Sequence, residues 1–370
     1  MPRVSAPKIA ETGFPKLDIP LPLPYPPMES RRAEQLPEGD GWVFEPKWDG
    51  FRCLVFRDDT HVVLQSKAGQ PLGRYFPELV EAFRRIRGRF VLDGEIIVVR
   101  DGHLSFDDLL QRIHPAESRI RRLAAETPTS YLAFDLLYDP AGGRILTERP
   151  LRDRRARLEV FMERVPEDAA IYLSPSTGSR ATARQWFTTL GGLGFDGVMA
   201  KRADERYHPG DRDAMVKVKH LKTADCVVGG FRWTEKKPGV EVGSLLLGLY
   251  DADGLLQHVG HAASFTKEQR RELTKTMEPL KGGAGFSGRA PGGPSRWSTT
   301  RTGEWEPVDP RLVCEVQYDY FTRERFRHGT KFLRWRPDKK PTMCTFEALN
   351  AERGLPGKKN RALHDLLKLR

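Results

Sequence analysis

The stretch 41-GWVFEPKWDGFRCLVF-56 sets one lysine, Lys47, between two apolar runs, with Asp-Gly and then an arginine close behind it. The second run, 51-FRCLVF-56, alternates, the mark of a strand. Lys47 is either ordinary surface charge or the nucleophile of a covalent reaction. A free lysine has a pKa of about 10.4 and is a poor nucleophile at neutral pH. It becomes useful where nearby cations or burial favour the neutral amine.

Outward from this stretch the signals are mostly strands. 61-HVVLQ-65 is β-branched, and 90-FVLDGEIIVV-99 is followed by Asp101-Gly102, a hairpin-type turn. 131-YLAFDLLY-138 and 171-IYLS-174 are further apolar runs. Helices are interspersed. Phe76, Leu79, Val80, Phe83 and Ile86 share one helical face, as do Leu151, Leu158, Phe161, Met162 and Val165. These stripes read as core faces without chemistry. 105-SFDDLLQRI-113 opens with a Ser-x-x-Asp that can cap a helix.

Before Gly41 the chain is proline-rich (18-DIPLPLPYPPM-28) and reads as an extended lead-in. Near Thr223 a second region begins, with short strands at 226-CVVGGF-231, 244-SLLLGLYD-251, 256-LQHVGHA-262 and 312-LVCEVQYDYF-321. One helix, 266-TKEQRRELTKTM-277, lies among them. This pattern suits a small barrel such as an OB-fold. The Gly/Pro-rich loop from Gly282 to Pro294 reads as mobile, and 353-RGLPGKKNRALHDLLKLR-370 as a basic tail ending in a short amphipathic helix.

The 370 residues suffice for two domains of ordinary size. The formal net charge of +11 points to a polyanionic partner, since neutralising phosphates releases counterions. No apolar run approaches the roughly 18 residues that span a membrane. The N-terminus does not read as a secretory signal, so a cytoplasmic location is expected. Cys53, Cys226, Cys314 and Cys344 form no C-x-x-C and read as free thiols in a reducing compartment.

Several constellations carry possible chemistry. In 215-MVKVKH-220 strand alternation puts Lys217 and Lys219 on one face, suggesting a lined groove; the plainer reading is an exposed edge strand. Glu95, Asp93, Asp135 and Asp196 sit in apolar runs, where a carboxylate is costly unless paired, hydrogen-bonded or on a metal. Magnesium held by one or two carboxylates plus substrate phosphates fits. For Asp93 and Asp135 a structural salt bridge weighs at least as much. In 331-KFLRWRPDKK-340, Arg334 and Arg336 read as a phosphate clamp on one strand face, or as a solvated basic strand.

The ordered set is more specific than its parts. K-W-D-G-x-R, 66-SKAG-69, D-G-E, F-D-L-L, D-G-V-M-x-K, K-V-K and R-x-R-P-D-K follow one another from about Gly41 to Lys340. This set strongly resembles the covalent nucleotidyltransferases and, within them, the ATP-dependent DNA ligases, nearest to the small bacterial ligases called DNA ligase C. The resemblance implies an α+β fold. An antiparallel-sheet nucleotidyltransferase domain would occupy 1–221, an OB-fold β-barrel 222–350, and a basic tail 351–370. No large N-terminal DNA-binding domain is expected.

The resemblance also implies roles. Lys47 would attack the α-phosphate of ATP and become lysyl-AMP. Arg52 and Glu95 would hold the ribose side, Phe134 would stack on adenine, and Glu45 would lie at its edge. Lys217 and Lys219 would contact the α-phosphate. Lys67 and Lys201 complete the nucleotide-binding set. Asp196, with Glu95, would place Mg2+ or Mn2+. Arg334, Arg336, Asp338 and Lys339 would orient pyrophosphate as the second domain closes. Two positions depart from the family pattern. Lys67 stands where arginine is usual, keeping the charge but losing the planar fork. Asp196 stands where glutamate is usual, one methylene shorter.

The implied reaction loads AMP on Lys47, passes it to the 5′-phosphate at a nick in double-stranded DNA, and releases it when the 3′-hydroxyl attacks. The expected partners are nicked DNA and DNA-repair proteins, for a monomer in the cytoplasm at the nucleoid with no membrane contact. The rival enzymes are a GTP-dependent mRNA capping guanylyltransferase and an RNA ligase. The non-enzymatic rival is an OB-fold nucleic-acid-binding protein with a dead nucleotidyltransferase domain.

Overall fold

The computed structural model describes residues 13–139, 144–220, 222–234, 237–292, 304–322 and 324–352. The helix expected in the tail falls outside them. The chain divides into two compact units between Lys219 and His220.

The first unit holds two sheets. One runs in the order Val62–Ser66, Phe51–Arg57, Phe90–Arg100, Thr129–Asp139, Arg144–Ile145, with antiparallel neighbours. The other runs Arg31–Ala33, Met215–Lys219, Gly197–Arg202, Trp42–Lys47. Two pairings depart from the expected antiparallel pattern: Ile171–Leu173 joins Thr129–Asp139 in parallel, and Arg31–Ala33 joins Met215–Lys219 in parallel. Asp101 and Gly102 both take positive φ, which the tight turn from Phe90–Arg100 into His103–Leu104 requires. Ser105 caps the helix Phe106–Gln111 by accepting from the Asp108 N–H.

The strand Phe51–Arg57 buries Cys53, Leu54, Val55 and Phe56 on both faces, so its alternation in sequence marks no solvent side. Leu54 and Phe56 pack under Leu21, Tyr25 and Met28. The proline-rich lead-in is thus a strap laid on the sheet. Its backbone is satisfied by a side chain: Gln65 accepts from the Tyr25 N–H at 2.7 Å and donates to the Tyr25 carbonyl at 2.6 Å. Each such fully buried Leu or Phe stabilises the fold by roughly 1.5–3 kcal/mol. Helix Pro77–Arg84 starts with proline and buries Leu79 and Phe83; helix Leu151–Met162 buries Leu151, Leu158 and Phe161.

The second unit is built on a sheet ordered Leu256–Ala262, Lys237–Tyr250, Lys222–Thr234, Val313–Tyr318, Lys331–Trp335. Glu306–Pro307 lies beside Lys222–Thr234, and all neighbours are antiparallel. Helix Lys267–Met277, closed by a Thr266/Gln269 capping box, sends Leu273 and Met277 into the core. Among the described residues the sheet is not closed, which departs from the barrel expected; a single bridge joins Ala262 to Thr330. The described part of the Gly/Pro loop is pinned rather than loose. Gly282 and Gly285 donate to the carbonyls of Pro307 and Val308 at 2.9 and 3.0 Å, and Phe286 is buried in the core. No described helix is long and apolar enough to cross a membrane.

Candidate active site

Lys47 ends the strand Trp42–Lys47 opposite Gly197, the first residue of the neighbouring strand. Gly197 takes φ +138°, and a Cβ there would fall 2.0 Å from the Val218 carbonyl oxygen. Only glycine allows that approach, and it sets Asp196 beside Lys47. The Asp196 N–H donates to the Lys47 carbonyl at 3.0 Å. Lys47 Nζ donates to Asp196 Oδ2 at 2.6 Å, and Lys219 Nζ lies 3.1 Å from the same oxygen. On Met215–Lys219, Val216 and Val218 are buried with Phe44 and Val198, which leaves Lys217 and Lys219 on the opposite face. That strand is flanked on both sides, so it is not the edge strand of the plainer reading.

Charge is concentrated here. Burial works against the ionised Asp196, but Lys47 and Lys219 outweigh it and hold the carboxyl down at about 2. Burial, Lys47, Lys219 and Lys67 together push the Lys217 ammonium below its usual value, with Glu29 opposing. An anion placed among these lysines relieves their mutual repulsion. Lys67 lies at the surface, 3.1 Å from Glu29, which also takes Arg212 at 3.0 Å.

Glu95 faces Arg52 across the strand pair. Burial pushes its carboxyl up to about 7; Lys47 and Arg52 pull down, while Asp49 and Asp93 push up. Arg52 donates to both oxygens of buried Asp93, at 2.5 and 2.6 Å. Tyr207, which the sequence did not single out, donates its hydroxyl to Asp93 at 2.7 Å. The Phe134 ring is met by Arg52 at 4.5 Å and by Lys201 Nζ at 4.4 Å from its centroid. Lys201 donates to Glu45 at 2.9 Å, and both side chains are buried. Glu45, Lys47, Arg52, Glu95, Phe134, Asp196, Lys201, Lys217 and Lys219 are therefore linked through one continuous set of contacts and field effects.

The other carboxylates have structural partners. Asp135 takes both Nε and Nη2 of Arg154 at 2.8 Å, fully buried, and Asp93 holds Arg52. Among the described residues no group of three His, Cys, Asp or Glu side chains is placed to cage a metal ion. Asp196, against Lys47 and Lys219, and Glu95, in the field of Lys47, are the carboxylates that could help hold an ion completed by phosphate oxygens and water.

In the second unit, Arg336 donates to Asp225 at 2.9 Å and to Asp338 at 2.8 Å, and Lys339 donates to Asp225 at 2.7 Å. Arg336 holds the exposed Asp338 carboxyl down at about 2. Arg334 pairs with Glu315 at 2.7 Å. The strand ends at Trp335, so Arg336 lies just beyond it. Asp225 and Glu315 face each other across two strands, so their cations line one sheet face. Asp225 was missed in the sequence because its cations come from more than a hundred residues away. Its only local signal is a carboxylate one residue before the buried run 226-CVVGGF-231.

The family model described as ATP dependent DNA ligase domain matches residues 28–219, and that described as ATP dependent DNA ligase C terminal region matches residues 238–339. DNA ligase C1 of Mycolicibacterium smegmatis is 46% identical over 345 residues, covering 90% of this chain and 96% of the relative. DNA ligase C of Mycobacterium tuberculosis is 42% identical over 348 residues, with 90% and 96% covered. A solved Lig E DNA ligase shares the fold at a TM-score of 0.53 and 17% identity, with 84% of this chain and 99% of that one covered.

Proposed function

The chain belongs to the family of ATP-dependent DNA ligases, and from that premise we propose the course of its reaction. Lys47 attacks the α-phosphorus of ATP. The new N–P bond forms as the bond to pyrophosphate breaks, leaving AMP on the lysine. AMP then passes to the 5′-phosphate at a nick in duplex DNA, and attack by the 3′-hydroxyl seals the strand and releases AMP.

The observation that carries this reading is the Lys47–Asp196–Lys219 cluster, with Lys217 on the same face. Negative charge builds on the α-phosphate and the leaving group as pyrophosphate departs, and fixed cations stabilise it. Arg52, Phe134, Glu45 and Lys201 receive the nucleoside, and Lys67 contacts the DNA 5′-phosphate or the ribose. Asp196 and Glu95 would hold a divalent ion, Mg2+ or Mn2+, which neutralises phosphate oxygens when bound.

We assign residues 1–221 to nucleotidyl transfer and 222–350 to an OB-type domain. The bridge between Ala262 and Thr330, which draws the outer edges of the second sheet together, supports the OB assignment. Arg334, Arg336, Asp338 and Lys339 act on pyrophosphate in the first step. The net charge of +11 supports a sequence-tolerant, salt-sensitive grip on the duplex backbone. The protein acts as a monomer at the nucleoid, alongside DNA-repair proteins.

Intact-protein mass tests the chemistry. After stripping with pyrophosphate, the protein is incubated with magnesium and either ATP or GTP. A gain of one AMP with ATP alone is expected. A gain with GTP instead speaks for a capping-type enzyme, and no gain with either speaks for a binding module.

A further inference from the structure

Four groups in the first unit form a closed ring of hydrogen bonds. Arg52 donates through Nε to Asp93 Oδ1 at 2.5 Å and through Nη2 to Asp93 Oδ2 at 2.6 Å. The Tyr207 hydroxyl donates to the same Oδ2 at 2.7 Å. The Met28 N–H donates to the Tyr207 oxygen at 2.9 Å, and Arg52 Nη2 also donates to the Met28 carbonyl at 3.3 Å.

The proton inventory leaves one arrangement for the hydroxyl in this ring. A backbone amide only donates, and an ionised carboxylate only accepts. The single phenolic proton of Tyr207 must therefore point at Asp93. Burial keeps that phenol protonated. Asp93 and Tyr207 are almost wholly buried, so no water competes for either group. Met28 cannot drift, because the strap that carries it is fixed by Gln65 at Tyr25 and by burial of Leu21, Tyr25 and Met28.

The ring consumes Nε and Nη2 of Arg52. Among the described residues Nη1 makes no hydrogen bond, and the guanidinium carbon lies 4.5 Å from the Phe134 ring centroid. The side chain is held in one plane with one nitrogen left for a ligand.

We propose that Tyr207 and the backbone of Met28 are positioning groups for ATP. Acting through Asp93, they fix the plane from which Arg52 meets the nucleotide, and they make the proline-rich strap part of the nucleotide site. This rests on the reading that Arg52 contacts the nucleotide. Without the Tyr207 hydroxyl, Asp93 loses one of its donors and the Met28 N–H is left buried with no acceptor. Arg52 keeps its own bonds to Asp93, but that carboxylate is then no longer braced from the far side, and the pair can shift together before ATP arrives.

The test is steady-state sealing of nicked DNA by the full chain, with ATP varied. Tyr207→Phe keeps the ring and removes the hydroxyl. It should raise KM for ATP about tenfold and leave kcat within about twofold. In an Arg52→Ala background the same change should move KM by less than about twofold, because the relay then has nothing to position. An equal rise in both backgrounds overturns the relay, as does an unchanged KM in the single variant. If Arg52→Ala alone leaves KM for ATP unaltered, the nucleotide role of Arg52 itself is overturned. Should Tyr207→Phe fail to fold, Asp93→Asn sets an amide against the guanidinium and should reproduce the KM rise, again only where Arg52 is present.

Discussion

Lys47 and Asp196 meet at 2.6 Å where two antiparallel strands end and begin, and the same carboxylate oxygen lies 3.1 Å from Lys219. One carboxylate thus orders two of the three lysines that would surround the α-phosphate, and those lysines keep it ionised. Aspartate reaches both here despite being a methylene shorter than the glutamate usual at this position.

Asp196→Asn keeps the shape and removes the charge. The rate of AMP adduct formation should fall on the order of 100-fold, and half-maximal rate should need more magnesium. Adduct formation followed across a magnesium series checks this. An unaltered rate with unaltered magnesium dependence speaks against a metal role for Asp196.

Asp135 is expected to be structural. Its pair with Arg154 is buried, and removing one partner leaves the other charged and unpaired. Asp135→Asn should cost about 3–5 kcal/mol in urea unfolding. The magnesium requirement of the folded fraction should not change. A shifted requirement would make Asp135 a metal ligand after all.

Asp225 gathers Arg336 and Lys339. If those cations serve pyrophosphate, Asp225→Ala should slow AMP loading roughly 10-fold or more, by misplacing them. Sealing of a nick that already carries 5′-AMP should change far less. Separate assays of loading and of pre-adenylylated nick sealing distinguish the steps. Equal losses in both would give Asp225 a general folding role.

His258 gives the second unit an acid sensitivity. Both ring nitrogens are buried, and among the described residues neither has a well-formed hydrogen bond, the Gly260 backbone alone favouring the charged ring. Burial, with Arg325, Arg232 and His261 adding repulsion, holds its pKa down at about 3. Unfolded histidine titrates near 6.5, so below that pH the unfolded chain binds the extra proton and stability falls as pH drops. At pH 5 the loss from this residue is about 2 kcal/mol. His258→Leu should flatten the pH dependence of the urea midpoint between pH 7.5 and 5. An unchanged slope would mean that His258 takes up its proton alike in the folded and the unfolded chain.

Local structure was legible where short-range chemistry decides it. The Asp101-Gly102 turn, the Ser105 cap, the helix around Leu79 and Phe83, and the strand at Leu256–Ala262 all follow from neighbouring residues. The Lys217/Lys219 face followed from alternation alone. What was not legible depends on distant partners. Arg31–Ala33 is too short and too polar to announce a strand, and it pairs only because the chain returns at Met215–Lys219. The proline-rich strap read only as an extended lead-in because proline donates no hydrogen bond, yet its apolar side chains cover Leu54 and Phe56. Tyr207 carries no local pattern and Asp225 only a weak one, and their roles arise only when the topology delivers Asp93 and Arg336.

The most direct test of the account is Lys47→Ala, assayed on two nicked duplexes, one with a plain 5′-phosphate and one already bearing 5′-AMP. The variant should form no AMP adduct and leave the plain nick open in the presence of ATP, while still sealing the adenylylated nick. A covalent AMP adduct on Lys47→Ala would contradict the account and place the nucleophile on another residue.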